Sequence, residues 1–403
     1  MWLAQITNSA ALWMEQVARP ILVIDMVGGD PTLAALHVSG VLASRTLPQF
    51  GFGLIAGVLA DWYDRRTLIL VSKIIGMVIN FLFAFLLLSG MAELWHVYAT
   101  GVLRAIATSF DNPARQALIP SLVPPQHLAN AVALNSASMQ TMRIGAASIA
   151  GISLALIGVP GTFLAVAIIS VGAVILTYLM HVPPMPHVSG KSVKSAFGSM
   201  WEGMVYAWQV PSIRGVLLLT LTFFTLGMAY LQVFAPLFAK VVLDIGDSGY
   251  GLMVAVTGIG SLAGSLTIAT LSPSKWRGPL MIILMSVLGV MLVLFGASTY
   301  LPRLFGEQWI IVMFVTVIFL GALQSSYLAL GNTLLLEQAP EEKRGRIMGV
   351  LSQDRSMITF GATLAGILSA AFGPQIAQML FGVGLILCAI GVSTFLPIIR
   401  KVD

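Results

Sequence analysis

Glu15 and Arg19 stand four residues apart in an otherwise apolar stretch, with Gln5, Asn8 and Gln16 close by. At that spacing a carboxylate and a guanidinium share one helix face. A second stripe, Arg104, Thr108, Asp111 and Arg115, repeats at four, three and four residues. Arg45 and Gln49, Gln140 and Arg143, the set Gln324, Ser325 and Asn332, and the set Asp354, Arg355, Thr359 and Thr363 give four more polar faces. In hydrocarbon each charge costs roughly 2.5–3.5 kcal/mol, so such residues face a cavity or a partner. One reading is a polar cavity between two halves of the chain that holds a substrate and a proton site, with Glu15 as the candidate proton acceptor. The other is ion pairs that set packing, such as Glu15–Arg19 and Asp111–Arg115. Stripes on so many spans favour the cavity. Arg45, Arg104 and Arg143 outnumber the acids of the first half, which points to an anionic group on the substrate.

Other chemistries lack their parts. His37, His96, His127, His181 and His187 are scattered in loops or at span ends, without metal-ligand spacing or a paired nucleophile. Cys388 is the single cysteine, so the chain holds no internal disulfide and no cysteine metal site. Gly190-Lys191-Ser192 has Met185 where a phosphate-binding loop needs its first glycine. The sequence therefore predicts no enzyme, no cofactor and no metal. The net charge of +5 lies in short loops, which makes nucleic acid an unsuitable partner and the lipid bilayer the expected one.

The elements that must carry these residues are membrane spans. The 403 residues are 58% hydrophobic and 9% charged, against roughly 25% charged in a soluble domain. Apolar runs of bilayer length, about 20 residues, fall near 3–27, 34–56, 69–90, 94–114, 132–157, 161–181, 214–240, 250–271, 279–298, 308–334, 347–372 and 376–398. Short connections such as Gly158-Val159-Pro160-Gly161 and Gly373-Pro374-Gln375 force antiparallel neighbours. The expected fold is an all-α membrane protein of twelve helices in two pseudo-symmetric six-helix bundles, with a bundle over 1–181, a cytoplasmic linker over 182–213 and a second bundle over 214–403. Within the linker, Phe197, Met200, Trp201, Met204, Val205 and Trp208 recur at helical spacing and predict a helix on the membrane surface. Segments around Pro120–Pro124 and Leu336–Pro340 correspond at an offset of 216 residues, consistent with duplicated halves. Gly260 and Gly264 predict close helix packing.

Orientation follows from the basic residues. With the N-terminus inside, the cytoplasmic side holds Arg65, Arg66, Lys73, Arg115, Lys191, Lys194, Arg214, Lys275, Arg277, Lys343, Arg344, Arg346, Arg400 and Lys401, against Lys240 and Arg303 outside. Both termini are therefore expected in the cytoplasm.

The most specific element is the loop Gly57-Val58-Leu59-Ala60-Asp61-Trp62-Tyr63-Asp64-Arg65-Arg66. It resembles the signature loop of the major facilitator superfamily, matching at Gly57, Leu59, Ala60, Asp61, Arg65 and Arg66 and departing at Trp62 and Asp64. The resemblance implies a cytoplasmic gate in which Asp61 and Arg65 act as a latch. The stretches Asp111–Ala117, Pro120–Pro124, Asn130–Ser136, Trp13–Ala18, Ala43–Pro48 and Lys343–Arg346 are similar to the branch that contains the enterobactin exporter and macrolide-efflux proteins. Arg104 falls where that superfamily carries an intramembrane arginine tied to proton coupling. Ala146-Ala147 replace the Gly-Pro of the antiporter motif. The resemblance implies proton-coupled efflux of a small organic molecule, drug-like or siderophore-like, by a monomer in the bacterial cytoplasmic membrane. An importer or lipid flippase on the same fold, and a membrane enzyme, are the alternatives.

Overall fold

The computed structural model describes residues 2–62, 64–122, 128–180, 205, 207–271, 276–300, 309–338 and 354–401. Regular structure among them is entirely helical. Helices α1 (Trp2–Met26), α2 (Pro31–Trp62), α3 (Arg65–Leu88), α4 (Leu94–Leu122) and α5 (Leu128–Tyr178) form the first part of the chain. Helices α6 (Pro211–Val242), α7 (Gly246–Leu271), α8 (Arg277–Gly296), α9 (Trp309–Gln338), α10 (Asp354–Phe372) and α11 (Pro374–Phe395) follow. Seven helical stretches of the described residues are long and apolar enough to cross a membrane. They are Arg65–Leu88, Ser148–Tyr178, Pro211–Val242, Gly246–Ile268, Arg277–Gly296, Trp309–Gly331 and Pro374–Phe395.

Outward faces are as apolar as the core. On α3, Val71, Val78, Phe81, Leu82 and Phe85 are exposed while Ile69, Ile79, Phe83 and Ala84 are buried. Exposed Ile376, Leu380, Val383, Leu387 and Ile390 repeat the pattern on α11. Contiguous apolar surface on this scale is unstable against water and is the natural boundary of a protein dissolved in lipid.

The chain divides into two compact units: Met1–Gly28 with Val41–Ala196, and Gly29–Gly40 with Phe197–Asp403. The start of α2 thus belongs to the second unit. The interfacial helix expected within 182–213 lies largely outside the described residues.

Several helices run past the predicted spans. Arg115, just beyond the predicted span 94–114, lies inside α4 and is buried, and Lys73 is buried inside α3. The hydropathy pattern marks where hydrocarbon ends, whereas helical hydrogen bonding continues through flanking polar turns. Helix α5 joins two predicted spans around Gly158, whose φ of 66° and ψ of −174° break the helix. The left-handed φ suits glycine, and Pro160 is well placed to begin a new helical stretch. Thr162 donates to the Gly158 carbonyl at 2.7 Å, which secures the bend. Gly373, with φ of 82°, makes the turn from α10 into Pro374 at the first position of α11.

Asp64 caps α3: its carboxylate accepts from the Thr67 amide at 2.9 Å and the Thr67 hydroxyl at 2.6 Å. Partial burial pushes its pKa up, but the hydrogen bonds from Thr67 outweigh that and hold it below the usual aspartate range. A depressed folded-state pKa means the cap stabilises at neutral pH, and its contribution is lost as pH falls below that of a free aspartate. Asp64→Ala is expected to cost about 1 kcal/mol and Asp64→Asn much less. Thermal unfolding of the two variants at pH 7 in detergent checks the ranking. Nearby, Arg66 donates to the carbonyl of Tyr178 at the end of α5, where a helix C-terminus favours a cation.

In the second unit, α6 is interrupted by π-helical turns at Phe223–Gly227, Tyr230–Phe234 and Phe238–Val242. Pro236 lies between the last two and cannot donate an amide hydrogen to the helical ladder. An aromatic core packs around this widened helix. Phe223 stacks on Tyr327 at 4.4 Å, and Tyr230 meets Phe295 edge-on at 5.0 Å. Phe234 meets Phe381 at 5.3 Å.

Candidate functional site

The i,i+4 spacing does bring Glu15 and Arg19 together: Arg19 Nη2 donates to Glu15 Oε1 at 2.7 Å. The pair is not isolated. Arg104 of α4 donates to Glu15 Oε2 through Nε at 3.2 Å and Nη2 at 3.1 Å. Arg45 of α2 places Nη2 3.6 Å from Oε1. One fully buried carboxylate is therefore shared by three guanidinium groups from α1, α2 and α4, all within the first unit.

The arginines are held to different degrees. Arg19 also donates through Nη1 to the Val97 carbonyl at 2.7 Å and to Thr100 Oγ1 at 3.2 Å. Its guanidinium lies 5.3 Å from the Phe83 ring centroid and 5.9 Å from that of Phe163, and these two rings pack edge-to-face. Arg104 is fixed by its two bonds to Glu15 and by the absence of a side chain at Gly76, where a Cβ would overlap Arg104 Nη1. Arg45 is 17% exposed, against 3% for Arg19 and 7% for Arg104. Its stem lies over Gly101, where a Cβ would come within 3.0 Å of Arg45 Cγ.

A second buried charge group lies further along α4. Asp111 Oδ2 is 3.4 Å from Arg115 Nε. The Lys73 ammonium, electrostatically linked to Asp111, donates to Thr177 Oγ1 at 3.0 Å. Asn80 donates to Ser170 at 2.8 Å and ties α3 to α5. Gln49, expected beside Arg45 in the cavity, is half-buried, and its backbone carbonyl accepts from Ser109 at 3.5 Å.

Gln324 has a different setting. It is buried in the second unit and donates to the Gly227 carbonyl at 2.9 Å, where the first π turn of α6 ends. Gln324 thus supplies a side-chain donor to the carbonyl at the end of that π turn. Gln324→Leu would leave that carbonyl without this donor, at an expected cost of about 1–3 kcal/mol. Its thermal midpoint in detergent should fall clearly below that of wild type.

Gly57 and Asp61 lie in the last turns of α2, Arg143 in α5, and Asp354 and Arg355 in the first turn of α10. Their side chains lie outside the described residues. Arg65 opens α3. Sequence reasoning missed Lys73, Gly76 and Gly101 as parts of the buried charge network. The signal for the glycines was their lack of a side chain beside a polar stripe, which is legible only once the neighbouring helices are placed.

A helical protein with lipid-facing walls and a buried charge cluster is a multi-pass membrane protein in class. The profile of the transmembrane secretion effector family, within the major facilitator superfamily, matches residues 1–402, and the chain belongs to that family. Its members are transporters, not enzymes. The chain is 29% identical to an enterobactin exporter of Shigella dysenteriae serotype 1, over 86% of this chain and 80% of the relative. It is 24% identical to the staphyloferrin A transporter of Staphylococcus aureus, over 84% of this chain and 82% of the relative. In fold it matches a solved D-xylose–proton symporter with a TM-score of 0.74 at 15% identity, covering 98% of each chain.

Proposed function

We propose that this chain crosses the bacterial cytoplasmic membrane twelve times, as two six-helix bundles with both termini inside, and exports a small organic molecule in exchange for protons. It does so as a monomer by alternating access. The observation that carries the reading is the Glu15 cluster. Three charged side chains buried in a lipid-dissolved bundle, with a fourth, Arg45, half-buried beside them, are a large electrostatic cost, and the family to which the chain belongs gives that cost a use in transport. The named relatives include an enterobactin exporter, which supports the outward direction. In the same account the loop from Gly57 to Arg66 is the cytoplasmic gate, and Arg143, Asp354 and Arg355 add to the polar path.

The test is export itself. Bacterial cells with and without the chain are compared by mass spectrometry of cell contents and medium, before and after a protonophore. The expected result is a small organic molecule that leaves cells only when the chain is present, with export collapsing on protonophore addition. Export that survives the protonophore removes the proton coupling. A compound accumulated rather than lost reverses the direction.

A further inference from the structure

We infer that Arg45 is the docking point for an oxyanion, a carboxylate or its equivalent, on the transported molecule. The inference rests on the transport reading above and adds the charge class of the substrate.

Three cations meet one carboxylate, and the carboxylate is already satisfied without the third. Glu15 Oε1 accepts from Arg19 at 2.7 Å, and Oε2 accepts both bonds from Arg104 at 3.2 and 3.1 Å. Arg45 Nη2, at 3.6 Å from Oε1, is beyond hydrogen-bond distance. Among the described residues Glu15 is the one carboxylate it approaches. The cluster thus carries an excess of positive charge in a medium of low dielectric, where an unmatched charge attracts an anion strongly. Among the described residues of this unit the other buried acid, Asp111, already faces Arg115 and Lys73, so the excess is not offset there.

Arg45 is also the arginine built to be reached. It is the most exposed of the three, whereas Arg19 is enclosed by Val97, Thr100, Phe83 and Phe163. The stem of Arg45 rests on Gly101, so contact with the α4 backbone positions the guanidinium through its carbon stem rather than its donors. A planar guanidinium whose N–H groups make no hydrogen bond among the described residues can receive a carboxylate in two parallel hydrogen bonds. A lysine in its place would supply charge without that fork. An arriving oxyanion takes over Arg45 while Arg19 and Arg104 keep Glu15, so binding leaves no buried charge without a partner.

The test uses matched pairs of acids and their neutral amides: benzoate with benzamide, salicylate with salicylamide, and 1-naphthoate with 1-naphthamide. Each is added at millimolar concentration and fixed ionic strength to the purified chain in detergent, and thermal midpoints are compared. At least one acid is expected to raise the midpoint by about 2 °C more than its amide. Arg45→Gln should abolish that excess and Arg45→Lys should keep part of it, with both variants melting close to wild type in the absence of ligand. The inference is overturned if no acid exceeds its amide, or if the excess survives in Arg45→Gln. Its failure is separable from failure of the transport reading. Export of neutral compounds in the cell assay, with no preference for acids, removes the oxyanion site and leaves the transporter in place.

Discussion

Glu15→Gln is expected to destabilise the folded chain by about 3–5 kcal/mol, the range for removing one partner of a buried ion pair. The physical reason is not the loss of one attraction. Without the carboxylate, Arg19, Arg45 and Arg104 remain close together with nothing in the cluster to separate them. Arg19 retains Val97 and Thr100 as acceptors, but of the two Glu15 oxygens that Arg19 and Arg104 share, only one neutral acceptor remains in glutamine. Glu15→Asp keeps the charge on a shorter stem and should fall between wild type and Glu15→Gln. The double variant Glu15→Gln with Arg104→Gln should recover part of the loss, because it removes the cation that the single variant strands. Thermal unfolding of all four proteins in one detergent decides the point: a Glu15→Gln midpoint equal to that of wild type would show that the cluster does not hold this unit together.

Gly264→Val is also expected to be strongly damaging, by a different route. Helices α7 and α9 touch through backbone. A Cβ at Gly260 would overlap the Ile318 carbonyl, one at Gly264 the Ala322 carbonyl, and one at Gly321 the Thr257 carbonyl. Ser261 donates to the Gly321 carbonyl at 3.1 Å and Ser326 to the Gly264 carbonyl at 3.0 Å, across the same seam. In lipid there is no hydrophobic force to draw helices together, so close packing and such hydrogen bonds carry the association. A valine at 264 meets backbone, which cannot rotate away as a side chain can. The cost should reach or exceed the upper part of the roughly 1–3 kcal/mol seen for overpacked cores, with loss of the Ser326 bond in addition. Gly391→Val is the control, since a Cβ there has nothing within 4 Å. The expected outcome is near-normal yield and midpoint for Gly391→Val, with strongly reduced values for Gly264→Val. Equal behaviour of the two would refute the backbone seam.

These two sites differ in how far the amino-acid sequence discloses them. The Gly260–Gly264 spacing and the Glu15–Arg19 spacing are local, and local spacing determines which residues share a helix face. The meeting of Glu15 with Arg104 joins residues 89 apart in the chain, and it depends on the rotation of α4 about its own axis, which hydropathy leaves open. Gln324 shows the converse limit. Its place on a polar stripe is legible, but its hydrogen bond to a π turn of α6 is one that no periodicity announces. Lys73, counted among the cytoplasmic basic residues, is buried in α3, where Thr177 on α5 provides an acceptor that the sequence alone does not disclose. Asp64 was noted only as a departure from the superfamily loop, and its value as the cap of α3 appears with the geometry of Thr67.

The most direct measurement places the purified chain in proteoliposomes loaded with a pH-sensitive dye and supplies the organic molecule identified by the export screen. Wild type should couple movement of that molecule to an opposite flow of protons, and Arg104→Gln, which removes the two-bond partner of Glu15, should abolish the dye response. Movement of the molecule by wild type with no change in internal pH, or an undiminished response from Arg104→Gln, would contradict a proton exchanger built around this charge cluster.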